Sequence, residues 1–176
     1  TAQIAVVYDQ KNLQLFVNGT PSWHKMTQQS RTETIDELPE LSPFDMGTML
    51  GIDFDDQWNR TFEGELSEIR ISKIARYTEP YQPRSHLEAD EQTIALYHFD
   101  EGTGDLLKDS SGNGHHGRII GAKWVKTDGT TFSKQTVLND GPALLFDKPG
   151  SYVDVPSIPV DFNQPFCVES WCNPRD

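Results

Sequence analysis

The run Asp109-Ser110-Ser111-Gly112-Asn113-Gly114 carries the most pointed chemistry in this 176-residue sequence. It reads D-x-S-x-N-G, the first half of an oxygen-ligand calcium loop, where alternating polar side chains aim at one centre and glycine permits the turn. Asp109, Ser111 and Asn113 are therefore candidate ligands of a structural Ca2+, with Asp100 and Asp105 as the nearest upstream carboxylates. The pattern breaks further on. Its twelfth position is Ile120 instead of a bidentate glutamate, and no helical pattern flanks it. The same residues also suit a plain polar loop ending in an Asn-Gly turn, with Asp109 accepting backbone hydrogen bonds. Both readings stand.

A second acidic cluster, Asp53, Asp55 and Asp56, lies beside Trp58. The cluster can bind a cation or, with Trp58, face a sugar, Asp55 accepting from hydroxyls while the indole packs against the C–H face of the ring. The alternative is a solvated acidic loop. Trp23, in a polar stretch, is a second candidate stacking platform, whereas Trp124 and Trp171 sit within strand-like runs and read as core. His115-His116 invite a zinc reading. Neighbouring side chains on a strand point oppositely, however, and no further ligand lies at zinc spacing. His98 reads as a packed or solvent-facing residue.

Catalytic patterns are missing. A jelly-roll glycosidase needs two carboxylates about 5–10 Å apart across the scissile bond, which on a strand means i, i+2 or i, i+4 spacing. Glu65 and Glu68 are three apart, and Asp53 and Asp55 border a loop and lack the third acid of an E-x-D-x-E strand pattern. No Ser or Cys has a persuasive His context, and no Gly-rich phosphate loop joins a strand to a helix. The expectation is a non-catalytic protein.

The elements that must position these residues are strands. Ile4–Asp9 and Leu13–Gly19 flank the polar connection Gln10-Lys11-Asn12, which predicts a hairpin. Leu13, Leu15 and Val17 alternate with Gln14, Phe16 and Asn18. Met49–Phe54 predicts another strand. In GELSEIRIS, Leu66 and Ile69 are out of phase by one residue, which predicts a bulge or turn between them. Tyr77–Ala89 holds two prolines and no periodicity, and reads as a boundary connection. Beyond it IALYHFD, GRIIGAKWV, PALLFD, SYVDVP and FCVESWC are short β-branched or aromatic runs set between turn residues, as in a sandwich or jelly roll. The expected class is all-β.

The net charge of −12 is spread evenly. Residues 1–88 hold 8 Lys and Arg against 14 Asp and Glu, and residues 89–176 hold 7 against 13, so each half carries −6. Without a basic stripe to neutralise phosphates, nucleic acid is not an expected partner. No run of about 18 apolar residues is present, so no membrane-spanning helix is expected. Thr1 leads straight into a strand-like run, as an interior cut or a mature fragment would. Cys167 and Cys172 are five apart, which on a strand puts them on opposite faces and too far apart to bridge. Two N-x-T sequons, at Asn18 and Asn59, fit extracellular exposure.

Two blocks of motifs resemble the laminin-G-like, concanavalin A-like jelly-roll family. The second block, LYHFDEGTGD, KDSSGNGHHG, PALLFDKPGSYVDVPS and FCVESWCNP, is similar to the opening half of such a domain. The first block, AVVYDQKNLQLFVNGTP, LGIDFDDQW and FEGELSEIRISKIARY, is similar to its closing half. Residues 1–88 thus resemble a C-terminal half and residues 89–176 an N-terminal half. They are either parts of two tandem domains or one composite domain in permuted order. The resemblance implies an antiparallel jelly-roll β-sandwich, with a short helical turn at ISKIARY. It places the closing strand beside the opening one, which adds Glu68 to the candidate Ca2+ ligands. Several strands of the family's concave face and its tryptophan-histidine lead-in have no counterpart here. The implied function is an extracellular, cell-surface or periplasmic module of a larger multidomain protein that binds glycan or glycoprotein. The alternative is a structural or assembly domain packing against other domains or subunits, or an accessory domain of an enzyme.

Overall fold

The computed structural model describes residues 1–22, 26–27, 48–54, 59–126, 142–156 and 158–175. Trp23, Asp55 and Trp58, the expected sugar-facing residues, lie outside them. Among the described residues every regular element is a strand, so the protein is all-β, and every strand pair is antiparallel. The strands are β1 (Ala2–Tyr8), β2 (Asn12–Val17), β3 (Thr20–Pro21), β4 (Met26–Thr27), β5 (Thr48–Leu50), β6 (Ile52–Phe54), β7 (Asn59–Thr61), β8 (Gly64–Ser72), β9 (Thr93–Tyr97), β10 (Leu106–Leu107), β11 (Gly117–Ile120), β12 (Lys123–Lys126), β13 (Pro142–Phe146), β14 (Tyr152–Val155) and β15 (Phe166–Pro174).

The large sheet runs β12-β13-β8-β15-β1-β2-β3, with β4 also on β2 and β9 also on β8. β13 pairs with the Gly64–Leu66 end of β8 and β9 with the Ile69–Ser72 end, so the two follow one another along one edge of β8. A four-stranded sheet has the order β10-β11-β14-β5, and β6 pairs with β7. The chain changes sheet between β11 and β12, at Gly121-Ala122. β15, from the second half of the chain, lies between β1 and β8 from the first half and pairs with both along their length.

The β1–β2 hairpin closes where Asp9 Oδ1 accepts from the amides of Lys11 and Asn12, and Gln10 takes a left-handed φ of 73°. The phase break in β8 is a bulge. Trp171 pairs with Glu68 and Cys172 with Leu66, which leaves Ser67 as the extra residue and returns both Leu66 and Ile69 to the core. The expected strand over 49–54 is split at Gly51 into β5 and β6, which join different sheets. The helical turn expected at ISKIARY does not form. After Ser72 the chain bends, and the Arg76 side chain turns back to Ser72 and Asp90.

One face of the large sheet packs on the four-stranded sheet. Leu66, Ile69, Ile71, Ala95, Tyr97, Leu144, Phe146 and Cys172 from the former meet Leu50, Leu107, Ile119, Val153 and Val155 from the latter. Each fully buried Leu or Phe contributes about 1.5–3 kcal/mol. The opposite face of the large sheet is covered by residues 73–92, which include the expected boundary connection. Two smaller clusters form beneath them: Ala5, Val7, Phe16 and Cys167 against Ala75, Tyr77 and Tyr81, and Leu87 with Leu96 and Trp171. Cys167 and Cys172 are buried, unbridged thiols on opposite faces of β15. Trp171 is core, whereas Trp124 is partly buried and donates its indole N–H to the Gly104 carbonyl.

Candidate functional site

The covered face of the large sheet is lined with charge. Glu68, Arg70 and Ser72 on β8, Glu169 on β15 and Gln3 on β1 are all buried. Alternation puts them on one side of their strands, and the pairing of Arg70 with Glu169 and of Glu68 with Trp171 brings them together. Buried charge requires a partner and a full set of hydrogen bonds. Arg70 donates to Glu169 Oε2 through Nε at 2.8 Å and Nη2 at 2.5 Å, and through Nη1 to the Glu88 carbonyl at 2.8 Å. Glu169 Oε1 accepts from the Tyr77 hydroxyl at 2.7 Å and from Gln3 Nε2 at 3.4 Å.

The segment 73–92 supplies many of the remaining partners. The Tyr77 and Tyr81 rings stack at 3.5 Å, and the Tyr81 hydroxyl donates to Gln3 Oε1. Burial, followed by the nearby Glu169 carboxylate, raises the Tyr77 pKa well above the ordinary phenol value. The Trp171 indole donates to the Arg84 carbonyl. Arg76 forms a two-pronged ion pair with Asp90, whose hydrogen bonds hold that carboxyl well below the usual range. Gly19, at φ 73°, lets the Tyr81 amide donate to its carbonyl. A Cβ there would lie 1.8 Å from the Tyr81 carbonyl oxygen.

Beside this layer sits a Glu–His–His cluster. Glu68 Oε1 lies 2.5 Å from His86 Nδ1 and 3.1 Å from His98 Nδ1, and the two imidazoles stack with centroids 4.4 Å apart. Glu68 Oε2 accepts from the Leu87 amide at 2.9 Å, which fixes the carboxylate plane. The hydrogen bond to Glu68 raises the His98 pKa above its ordinary value, against an opposing desolvation. One carboxylate oxygen and two imidazole nitrogens, mutually within 4.8 Å, make a donor set able to hold a metal ion.

The Asp109 loop is built differently. Asp109 Oδ1 accepts from the amides of Leu96 and Ser111, and Oδ2 accepts from the Ser111 hydroxyl and the His115 amide. Desolvation pushes the Asp109 pKa up, but these donors outweigh it and the net shift is downward. Asn113 donates its side-chain amide to the carbonyls of Thr93 and Ile94. The loop is thereby tied to β9.

Of the expected calcium ligands, Asp109, Ser111 and Asn113 come together. Glu68 directs its oxygens at His86, His98 and Leu87, and Asp100 is exposed. The Asp109 oxygens already hold four donors, and Asn113 uses its nitrogen, not its oxygen, on β9. As arranged, this set does not fit a calcium ion, which takes 6–8 oxygens. The loop geometry is that of a hydrogen-bonded turn. His86 and the clustering role of His98 escaped the sequence reading because they lie 18 and 30 residues from Glu68. The only hint was a leucine and two tyrosines in a connection otherwise polar, residues that call for a surface to cover.

Next to the Asp109 loop opens a pocket of about 550 Å³. Ile94, Val160 and Phe166 supply apolar wall, and Lys73, Asn113, His115, Asp161 and Gln164 supply polar groups. Phe162, 45% exposed, meets Phe166 edge-on at 5.4 Å. Comparison with protein-family models, curated proteins and solved structures gives no match in any of the three. Among the described residues no helix is long and apolar enough to cross a membrane.

Proposed function

We propose that the chain is a non-catalytic recognition module that binds carbohydrate or glycoprotein, acting outside the cell, at its surface or in the periplasm as part of a larger multidomain protein. In this reading the two laminin-G-like halves combine as one composite sandwich, and their interleaving in the large sheet supports it. The observation that carries the binding role is the pocket beside the Asp109 loop. Sugar recognition combines apolar surface for the C–H faces of a pyranose with polar groups for its hydroxyls, and the Phe166 wall flanked by Lys73, His115 and Gln164 offers both.

Among the described residues, the two most buried carboxylates favour a structural role over a catalytic one. Glu169 is held by Arg70 and Tyr77, and Glu68 by two imidazoles and an amide. Both lie under residues 73–92 and are at most 1% exposed.

A glycan array probed with the purified chain tests the proposal. Binding of a defined saccharide class, weakened by Lys73→Ala or Gln164→Ala in a following titration, supports it. Trp23→Ala and Trp58→Ala report on the other candidate stacking residues. No binding to any glycan would leave the assembly role as the surviving reading.

A further inference from the structure

We infer that Glu68, His86 and His98 form a binding site for a divalent transition-metal ion such as Zn2+, which clips residues 73–92 onto the large sheet. The three donors come from separate parts of the fold. Glu68 is on β8, His98 directly follows β9, and His86 belongs to the covering segment. Imidazole and carboxylate donors suit zinc and its neighbours in the transition series, whereas calcium takes oxygen alone.

The donors of a four-coordinate zinc ion lie roughly 3.3 Å apart, as follows from metal–ligand distances near 2.0–2.2 Å. The Glu68–His98 separation of 3.1 Å already meets this, and the three donors lie within 4.8 Å of one another. The His86 and His98 rings stack at 4.4 Å and His86 Nδ1 sits 2.5 Å from Glu68 Oε1, so His86 must turn out of the stack to aim Nδ1 at a shared ion. Its side chain, 56% exposed on the covering segment, is free to do so. Coordination through both Nδ1 atoms places each ring proton on Nε2, the neutral tautomer that binds metals. The solvent side of His86 leaves a fourth position for water. Behind the site, the Leu87 amide on Glu68 Oε2 supplies the orienting hydrogen bond that metal-bound carboxylates require.

The ion would hold His86 against two sheet residues, so occupancy and docking of the covering segment rise together. Arg84, exposed two residues before His86, is then a reporter: trypsin cuts after it when the segment lifts.

The test is a calorimetric titration of the metal-stripped 176-residue chain with Zn2+ alone, alongside tryptic digestion with and without the ion. The expected result is about one equivalent bound, affinity lowered on the order of 100-fold in His86→Ala, and slower cleavage at Arg84 when Zn2+ is present. His86→Ala removes an exposed side chain, so a normal melting curve shows that the loss is local. His116→Ala serves as control and must bind as the wild type does. No Zn2+ binding by the wild type, unchanged affinity in His86→Ala, or loss in His116→Ala would each overturn the site.

Discussion

Arg70 and Glu169 stand directly opposite one another on β8 and β15, 5% and 0% exposed, joined by two hydrogen bonds to a single carboxylate oxygen. Their pair anchors a polar layer in which each charge is answered. The protein therefore has an apolar core on one face of its large sheet and a hydrogen-bonded charged layer on the other. Residues 73–92 seal the charged side.

Removing one member of this pair strands the other in a dry environment. Arg70→Ala and Glu169→Ala should each lower stability by about 3–5 kcal/mol, as a broken buried pair does. Arg70→Met combined with Glu169→Leu should cost less than either single change, since no charge is then left unmatched. Urea denaturation of the three variants checks the order.

Asp109 gives the protein an acid-sensitive point. Its folded pKa is held below the unfolded value, so its contribution is present above about pH 4, the ordinary carboxylate range, and is lost as pH falls through the folded pKa. Asp109→Asn should cost about 1–3 kcal/mol at neutral pH and flatten the acid limb of the stability curve. Addition of Ca2+ should leave the wild-type melting midpoint where it was. An upward shift on adding Ca2+ would show that the loop takes up the ion after all.

The two thiols should be silent in the native state. Burial, with Glu169 nearby, pushes the Cys167 thiol up to about 12, and burial raises Cys172 as well. At pH 8 a thiol-specific reagent should label neither until urea is added.

Gly19→Ala separates the two faces. The added Cβ would strike the Tyr81 carbonyl at a φ that disfavours L residues, at a cost of about 1–3 kcal/mol or more. Cys167, beneath Tyr77 and Tyr81, should then label faster while Cys172, in the apolar core, stays protected. Equal acceleration of both thiols would mean that the covering segment does not open by itself.

The sequence exposes features set by neighbours along the chain. The one-residue phase slip between Leu66 and Ile69 marked the bulge at Ser67, and the odd spacing of Cys167 and Cys172 put them on opposite faces. The Asp109 turn was legible as one of two readings because its partners are mostly local. Glu68, Arg70 and Glu169 had the outward phase of solvated residues. Their burial depends on a segment whose aperiodic, proline-bearing sequence looks like a connection. That segment is held by side-chain bonds to four strands, β1, β8, β9 and β15, so hydrophobic periodicity carries no trace of it.

The recognition role is tested most directly by backbone-amide chemical-shift mapping of the chain titrated with a saccharide selected on the array. Perturbations should concentrate at His115, Gln164 and Phe166 and be lost in Gln164→Ala. Perturbations absent from that pocket, or unchanged in the variant, would contradict it.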